Sequence, residues 1–405
     1  MSDFSVRPLR EGEQRATIDL LMTALHGTPP TDEIWEQVGA AVGAERRFGA
    51  FEGDTPIGIT GSYRTELAVP GGRQLPAAAV DGVGVRADRT RRGILTQLEA
   101  QQFADCLDRG DQVAILHASE TTIYGRFGYG AATRNLRFRI DRGKASIRPG
   151  VPDIGEVRVL DRTEAVELPP DVYRRIGLHR PGMIARPAPW WMRDHNLQVG
   201  PGGTHTVAVH TGADGDDGFV VYRVIDLGTF EAPDGGVALQ VRDLHAADPA
   251  ALIGLWRFLL SVDLITEIRA SGRPIDDPIA TMLTDPRACR VLNRTDDLWL
   301  RLLDVPGTLA ARTFGSGEPV VLGVTDSKLP RNSGAYLIHG TEVVRTDRDP
   351  ELSLDVETLA MLYLGEWRPS ELAAVGRIAV TDAAALDRAD ELFRTPRAPW
   401  SGTGF

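Results

Sequence analysis

Residues 80–96 read VDGVGVRADRTRRGILT, and this stretch decides the fold. Val80, Val83 and Val85 belong to a strand, while Leu95 and Leu98 open a run with helical spacing. A short turn carrying Arg91, Arg92 and Gly93 joins the two. Such a strand–turn–helix unit gathers successive main-chain N–H groups and the positive end of a helix at one point. With two arginines beside it, the expected guest is a pyrophosphate, held by main-chain donors and charge-assisted arginine bonds. Gly93 leaves room for close approach. Taken alone, the segment also reads as an ordinary helix N-terminus with solvated arginines.

The neighbouring segments extend this reading. Val83-Gly84-Val85 is a strand of little bulk, able to pair its main chain with an extended, amide-rich arm such as pantetheine. One of its N–H groups could polarise a thioester carbonyl. Residues 116–130, LHASETTIYGRFGYG, follow the next strand. Ser119 is expected to cap the following helix, with Tyr124 inside that helix and facing the cleft between splayed strands. A phenol of pKa about 10 is protonated at neutral pH and can serve a departing thiolate, whose conjugate acid lies near 8.5. The alternative is that Tyr124 and Tyr129 are packing aromatics.

Further outward, the first 145 or so residues alternate helical and strand patterns, an α/β arrangement. A helix is expected over 32–42 after Thr31, strands over 47–51, 57–69 and 77–85, and a last strand over 136–140 that closes the segment. The stretch 148–152, RPGVP, reads as a boundary. A second mixed region follows, with a strong helix over 249–262, and a third begins near 297–302.

Composition narrows the class of function. The 405 residues carry 45 Lys and Arg against 56 Asp and Glu, a net charge of −11. That balance argues against nucleic acid and anionic membranes and favours neutral or cationic small molecules. A hydrophobic fraction of 42% with 25% charged residues excludes intrinsic disorder. Two separate cysteines, Cys106 and Cys289, form neither a disulfide framework nor a thiolate zinc site, which fits a cytoplasmic location. His205 and His210 would lie on opposite faces of a strand, and no metal site is expected. The N-terminus has no apolar leader, and no run of 18 apolar residues suggests a membrane span.

The chain resembles the GNAT-type N-acetyltransferases and, within them, the enhanced intracellular survival (Eis) acetyltransferases of actinobacteria. The stretches that carry this are LHASETTIYGRFGYG, RRGIL, ALIGLWRFLLSVDL, DDLWLRLLDVP and the terminal GF, spread in order along nearly the whole chain. The sequence departs from the general pyrophosphate pattern with Thr90 and with Leu95.

The resemblance implies an α/β (α+β) protein of tandem GNAT folds and a sterol carrier protein-like C-terminal domain. Its units would be a catalytic GNAT domain over 1–148, a degenerate GNAT-like domain over 149–288 and the carrier-like domain over 289–405. The second unit's loop 243–249, DLHAADP, has no glycine and two aspartates, so it should repel a pyrophosphate. Acetyl-CoA would be the donor, contacted by Val83, Gly84, Val85, Arg91, Arg92, Gly93, Ile94, Leu95, Thr96, Ser119 and Glu120. Tyr124 would be general acid, and the α-carboxylate of Phe405 general base. Trp35, His117 and Arg126 would line the acceptor side.

The acceptors implied are cationic amines: aminoglycosides, polyamines or lysine side chains. Gly404 stands where some relatives carry an acidic residue, which bears on the acceptor range. A homo-hexamer is implied as well. The competing reading is a lipid- or partner-binding protein in which the GNAT domains are vestigial.

Overall fold

The structure, a computed structural model, describes residues 3–39, 42, 45–228, 236–340 and 342–405. The first sheet is built from β1 (Ser5–Pro8), β2 (Arg47–Glu52), β3 (Thr55–Ala68), β4 (Gln74–Val80), β5 (Gly84–Val85), β6 (Val113–Leu116) and β7 (Gly130–Ala131). The second contains β8 (Arg134–Asp141), β9 (Glu156–Val159), β10 (Thr206–Gly212), β11 (Gly215–Asp226), β12 (Val237–Ala246), β13 (Glu267–Pro274) and β14 (Cys289–Asp296). The next strand, β15 (Trp299–Leu302), returns to the first sheet and lies between β6 and β7. The third sheet, ordered β18-β17-β16-β19-β20, comprises β16 (Val320–Thr325), β17 (Gly334–His339), β18 (Glu342–Thr346), β19 (Leu352–Asp355) and β20 (Ala379–Val380).

Sheet membership therefore does not follow chain order. The strand expected to close the first unit, 136–140, lies in β8, which pairs with β13 and β14 of the second sheet. Residues 297–302, expected to open the third unit, supply β15, which pairs Trp299 with Leu116 and Leu302 with Val113. A local apolar pattern is satisfied equally well by either sheet, so only tertiary pairing makes the choice. The expected strand over 77–85 is also two pieces. β4 stops at Val80, and β5 pairs instead with β3, placing Gly84 opposite Ile59. The helix expected over 32–42 is found as Asp32–Val38, capped by the Thr31 hydroxyl at Ile34 N; residues 40–41 lie outside the described residues.

Three helices position the site. α1 (Gln14–Ala24) sets Leu21 against Gly84, where a side chain would meet Leu21 Cδ1 at 3.1 Å. α2 (Asp32–Val38) carries Trp35. α3 (Ile94–Asp108) buries Ile94, Leu98, Glu99, Gln102, Phe103 and Cys106 along one face, the stripe that seats it on the first sheet. Helix Pro249–Ser261, capped by the Asp248 carboxylate, buries Leu255, Trp256 and Leu259 against the second sheet.

Beside the third sheet, Arg312 is buried and donates to the carbonyls of Tyr363, Leu392 and Phe393. Those carbonyls end helices Val356–Tyr363 and Ala383–Phe393, whose negative dipole ends offset the guanidinium.

Candidate active site

β4 and β6 run parallel, pairing Ala77 with Val113 and Ala79 with Ile115, and their pairing ends there. The chain beyond β4 turns toward β3 and then into α3. The chain beyond β6 leads to His117, Ser119 and the short helix α4 (Thr121–Tyr124). A wedge opens between these two continuations, with residues 83–96 on one side and residues 117–124 on the other.

On one side stand Val83, half-buried, and β5. Arg91 and Gly93 both have left-handed backbones, with φ of 62° and 80°. Gly93 is the N-cap of α3, and a Cβ there would meet nothing within 4 Å. The left-handed geometry, rather than crowding, is what favours glycine at this position. The first-turn N–H groups of Ile94, Leu95 and Thr96 have no intrahelical acceptor by construction. Open space, outward-facing donors and two exposed arginines together fit the diphosphate of a nucleotide.

One neighbour is absent from the sequence reading. Arg92 Nη1 lies 2.7 Å from a Glu52 oxygen, and Arg89 Nε lies 3.0 Å from the same carboxylate. Hydrogen bonds from Arg89 and Arg92 hold the Glu52 carboxyl below its ordinary range. A strand-end carboxylate gives no local signal of which arginine it will meet.

On the other side, Tyr124 is buried in a cluster with Phe103, Cys106, Leu116, Phe127 and Tyr129, bordered by Val83, Leu95 and Ala118. Burial pushes its hydroxyl up to about 12; the Glu99 charge adds to this and a side-chain hydrogen bond with Ser119 opposes it. Ser119 does not cap α4. The N-cap residue is Glu120, which makes no side-chain cap bond, and its carboxylate instead accepts from Thr122 Oγ1 at 2.9 Å. Ser119 and Glu120 are both exposed.

The C-terminal segment arrives from the third domain. His117 Nε2 lies 2.9 Å from the Thr403 carbonyl and Nδ1 lies 3.0 Å from the Asp297 carbonyl. The Phe405 ring sits 4.7 Å from the His117 ring and 5.8 Å, edge-on, from Tyr63. Trp190 Nε1 donates to the Gly404 carbonyl at 2.8 Å. Thus the last residue of the chain lies beside the strand exit that leads to Ser119 and Tyr124. Tyr63 and Trp190 were not legible as site residues, because an aromatic in a strand or helix reads as core.

The acceptor-side residues do not converge on one spot. His117 lies in a crevice of about 200 Å³ with Asp243, Asp297, Trp400 and Gly404. Arg126 is exposed and borders a different crevice, of about 300 Å³, with Asp326, Lys328 and Glu357. Trp35 is half-buried, with the Arg15 guanidinium 5.3 Å from its ring.

Comparison with known proteins places this geometry. Residues 5–132 match an acetyltransferase (GNAT) domain family, residues 182–305 a second GNAT domain family, and residues 305–402 a sterol carrier protein domain. An uncharacterised N-acetyltransferase of Streptomyces avermitilis is 35% identical over 99% of both chains. The N-acetyltransferase Eis of Mycobacterium bovis is 34% identical over 86% of this chain and 85% of its own. The crystal structure of Eis1 from Mycobacterium abscessus superposes with a TM-score of 0.89 at 36% identity, covering 99% of this chain and 100% of that one. A GCN5-related N-acetyltransferase from Anabaena variabilis gives 0.83 at 18% identity, which shows the shared fold. The chain is an acetyl-transferring enzyme with tandem GNAT folds and a sterol carrier-like domain, and the reading with vestigial GNAT domains is set aside. With a wedge at the end of two parallel strands, a relative 34% identical over 86% of this chain and a superposing Eis1 structure, this protein belongs to the Eis family of GNAT N-acetyltransferases.

Proposed function

We propose that the enzyme moves an acetyl group directly from acetyl-CoA to a primary amine of a cationic small molecule, an aminoglycoside, a polyamine or a lysine side chain. The observation that carries this reading is the docking of Phe405 beside His117, on the strand exit that leads to Tyr124. In this reading the main-chain donors of Arg91, Arg92, Gly93, Ile94, Leu95 and Thr96 hold the diphosphate. Val83, Gly84 and Val85 hold the pantetheine arm, with a strand N–H supporting the carbonyl oxygen. Ser119 and Glu120 border the arm from the other side.

The Phe405 carboxylate takes a proton from the acceptor ammonium, directly or through one water, which frees the nitrogen lone pair. That nitrogen forms a bond to the thioester carbon; the carbon–sulfur bond breaks with its electron pair leaving on sulfur, and the second proton that the nitrogen sheds in becoming an amide ends on the thiolate. Tyr124 stands at the sulfur as donor. A hydroxyl pushed up to about 12 is fully protonated at neutral pH and is a weaker acid than the thiol that it serves. Tyr124 therefore stabilises the developing thiolate chiefly through its hydrogen bond, and net proton delivery follows cleavage. Of the residues expected on the acceptor side, His117 lies against Phe405 and keeps that role, whereas Arg126 borders a separate crevice.

Thiol release from acetyl-CoA over a panel of aminoglycosides, polyamines and peptides tests the substrate class, with product masses counting the acetyl groups. Tyr124→Phe and a two-residue extension after Phe405 should each lower kcat by roughly 10²-fold or more. Native turnover in both variants would remove this mechanism. Family membership supports a homo-hexamer and a cytoplasmic location for this chain; native mass spectrometry returning only the 44.0 kDa chain would reject the assembly.

A further inference from the structure

The two GNAT-like sheets share one construction at their centres. In the first, β4 and β6 run parallel as far as Ala79 and Ile115 and then part. In the second, β12 and β13 run parallel through Ala238–Val241 and Glu267–Ala270 and then part. The first wedge faces the phosphate turn of α3. The second has Asp243 and His245 on its β12 side, where no phosphate turn exists.

The chain's own C-terminus enters that second wedge and leaves a crevice of about 200 Å³ beside it. The Trp400 indole donates to the Gly272 carbonyl at 2.7 Å, and its ring lies 4.9 Å from His245 and 5.1 Å below the Arg273 guanidinium. Arg186 then grips the residues that follow. Its Nε donates to Thr403 Oγ1 at 3.0 Å, and its Nη2 donates to the Gly402 carbonyl at 3.0 Å. Asp243 accepts from Arg186 Nη1 at 2.6 Å. His245 Nε2 lies 3.1 Å from the Gly402 carbonyl. The guanidinium is fully enclosed, with Tyr173 and Trp190 at 4.3 and 4.2 Å. Ser401 and Thr403 are buried, whereas Gly404 is exposed.

We propose that the wedge of the second GNAT-like domain is a receptor for residues 400–404 of the same chain, and that Arg186, held by Asp243, is the positioning residue that fixes where the C-terminus lies. The aspartate that disfavours a pyrophosphate is the one that a tail-gripping arginine requires. Loss of the phosphate loop thus accompanies a change of guest, from a nucleotide to a peptide. Chain termini ordinarily fray. Here a buried tryptophan anchor and charge-assisted bonds to a buried guanidinium offset the ordering cost. The kinetic consequence rests on the Phe405 carboxylate being the base; the receptor itself does not.

The test uses the full chain, with release of Phe405 by carboxypeptidase A followed by mass spectrometry, beside kcat and KM for acetyl-CoA. Arg186→Gln should speed Phe405 release at least tenfold and lower kcat at least tenfold, with the acetyl-CoA KM changed less than twofold. Arg186→Lys, which keeps the charge and loses the fork, should restore part of both. Thr403→Val removes only one grip from the tail side, serves if Arg186→Gln does not fold, and should speed release severalfold. Native protection of Phe405 in every folded variant would overturn the receptor. Faster release with native kcat would uphold the receptor and remove the Phe405 carboxylate from the chemistry.

Discussion

Glu99 shows how much a single buried side chain can decide. It lies on the inward face of α3, wholly buried, and neither carboxylate oxygen has a hydrogen-bond partner among the described residues. Burial pushes its carboxyl up to about 8, with Arg301 opposing. Arg301 is committed elsewhere, to Asp326 at 2.7 Å. The Glu99 charge bears on Tyr124 and Tyr129, raising both hydroxyls. The folded chain therefore holds a proton that the unfolded chain releases above the ordinary carboxyl range. Its stabilising effect is full below about 4.5 and is lost as pH rises through about 8. Between pH 6.5 and 9 the native enzyme should lose about 2 kcal/mol from this group, and Glu99→Gln should lose none of it. Melting temperatures across that range check the difference; equal slopes for both proteins would contradict it. The sequence showed Glu99 only as an acid in an amphipathic helix, because burial depends on the helix's rotation against the sheet.

At the scale of elements, the break between β4 and β5 matters most. It turns Asp81 inward, where Arg47 lies at 3.2 Å and Arg193, from the second domain, at 2.7 Å. Burial opposes ionisation of Asp81, yet the two guanidiniums outweigh it and hold the carboxyl low. Its contribution is therefore fully present above the ordinary carboxylate range and is lost as pH falls from there through the lowered value of the folded state. Asp81→Asn takes the carboxylate from both guanidiniums; Arg193 keeps Asp194 at 2.9 Å, whereas Arg47 already has one unpartnered nitrogen. We expect a loss of roughly 3 kcal/mol in thermal or urea unfolding at pH 7, shrinking only once the pH is taken below the ordinary carboxylate range. A native transition would show that the pair is dispensable. The strand itself was legible from the small apolar residues over 77–85, but the break was not. Val80, Val83 and Val85 give no sign that the main chain changes partner after Val80.

Across the whole molecule, long-range ion pairs fix the domains against one another. Arg301 meets Asp326, and Arg134 meets Glu366, each joining a GNAT strand to the carrier-like part. The net charge of −11 belongs to this scale too. A negative field would steer the cationic acceptors proposed above, and it weakens with ionic strength. The acceptor KM should rise roughly tenfold between 50 and 500 mM salt while the acetyl-CoA KM rises less. An acceptor KM independent of salt would remove steering from the account.

The sequence alone determined the elements and the chemistry at their ends. Hydrophobic period, turn glycines and the arginine pair are local, and local sterics and charge suffice to place the turn and the helix start over 86–96, though not the break after Val80. The order of motifs further fixed the family and the sequence of three domains. Tertiary structure decided what depends on distant partners. Strands β8 and β15 cross between the GNAT sheets because their edges pair there. Ser119 turns to Tyr124 rather than capping α4. Asp243, legible only as a charge unsuited to phosphate, meets Arg186 and through it the chain's last residues. No local pattern encodes a contact between residues 57 positions apart in the chain, Arg186 and Asp243, or 216 apart, Arg186 and Gly402. Packing brings them together, and the enclosed, low-dielectric setting that results gives those charges their strength.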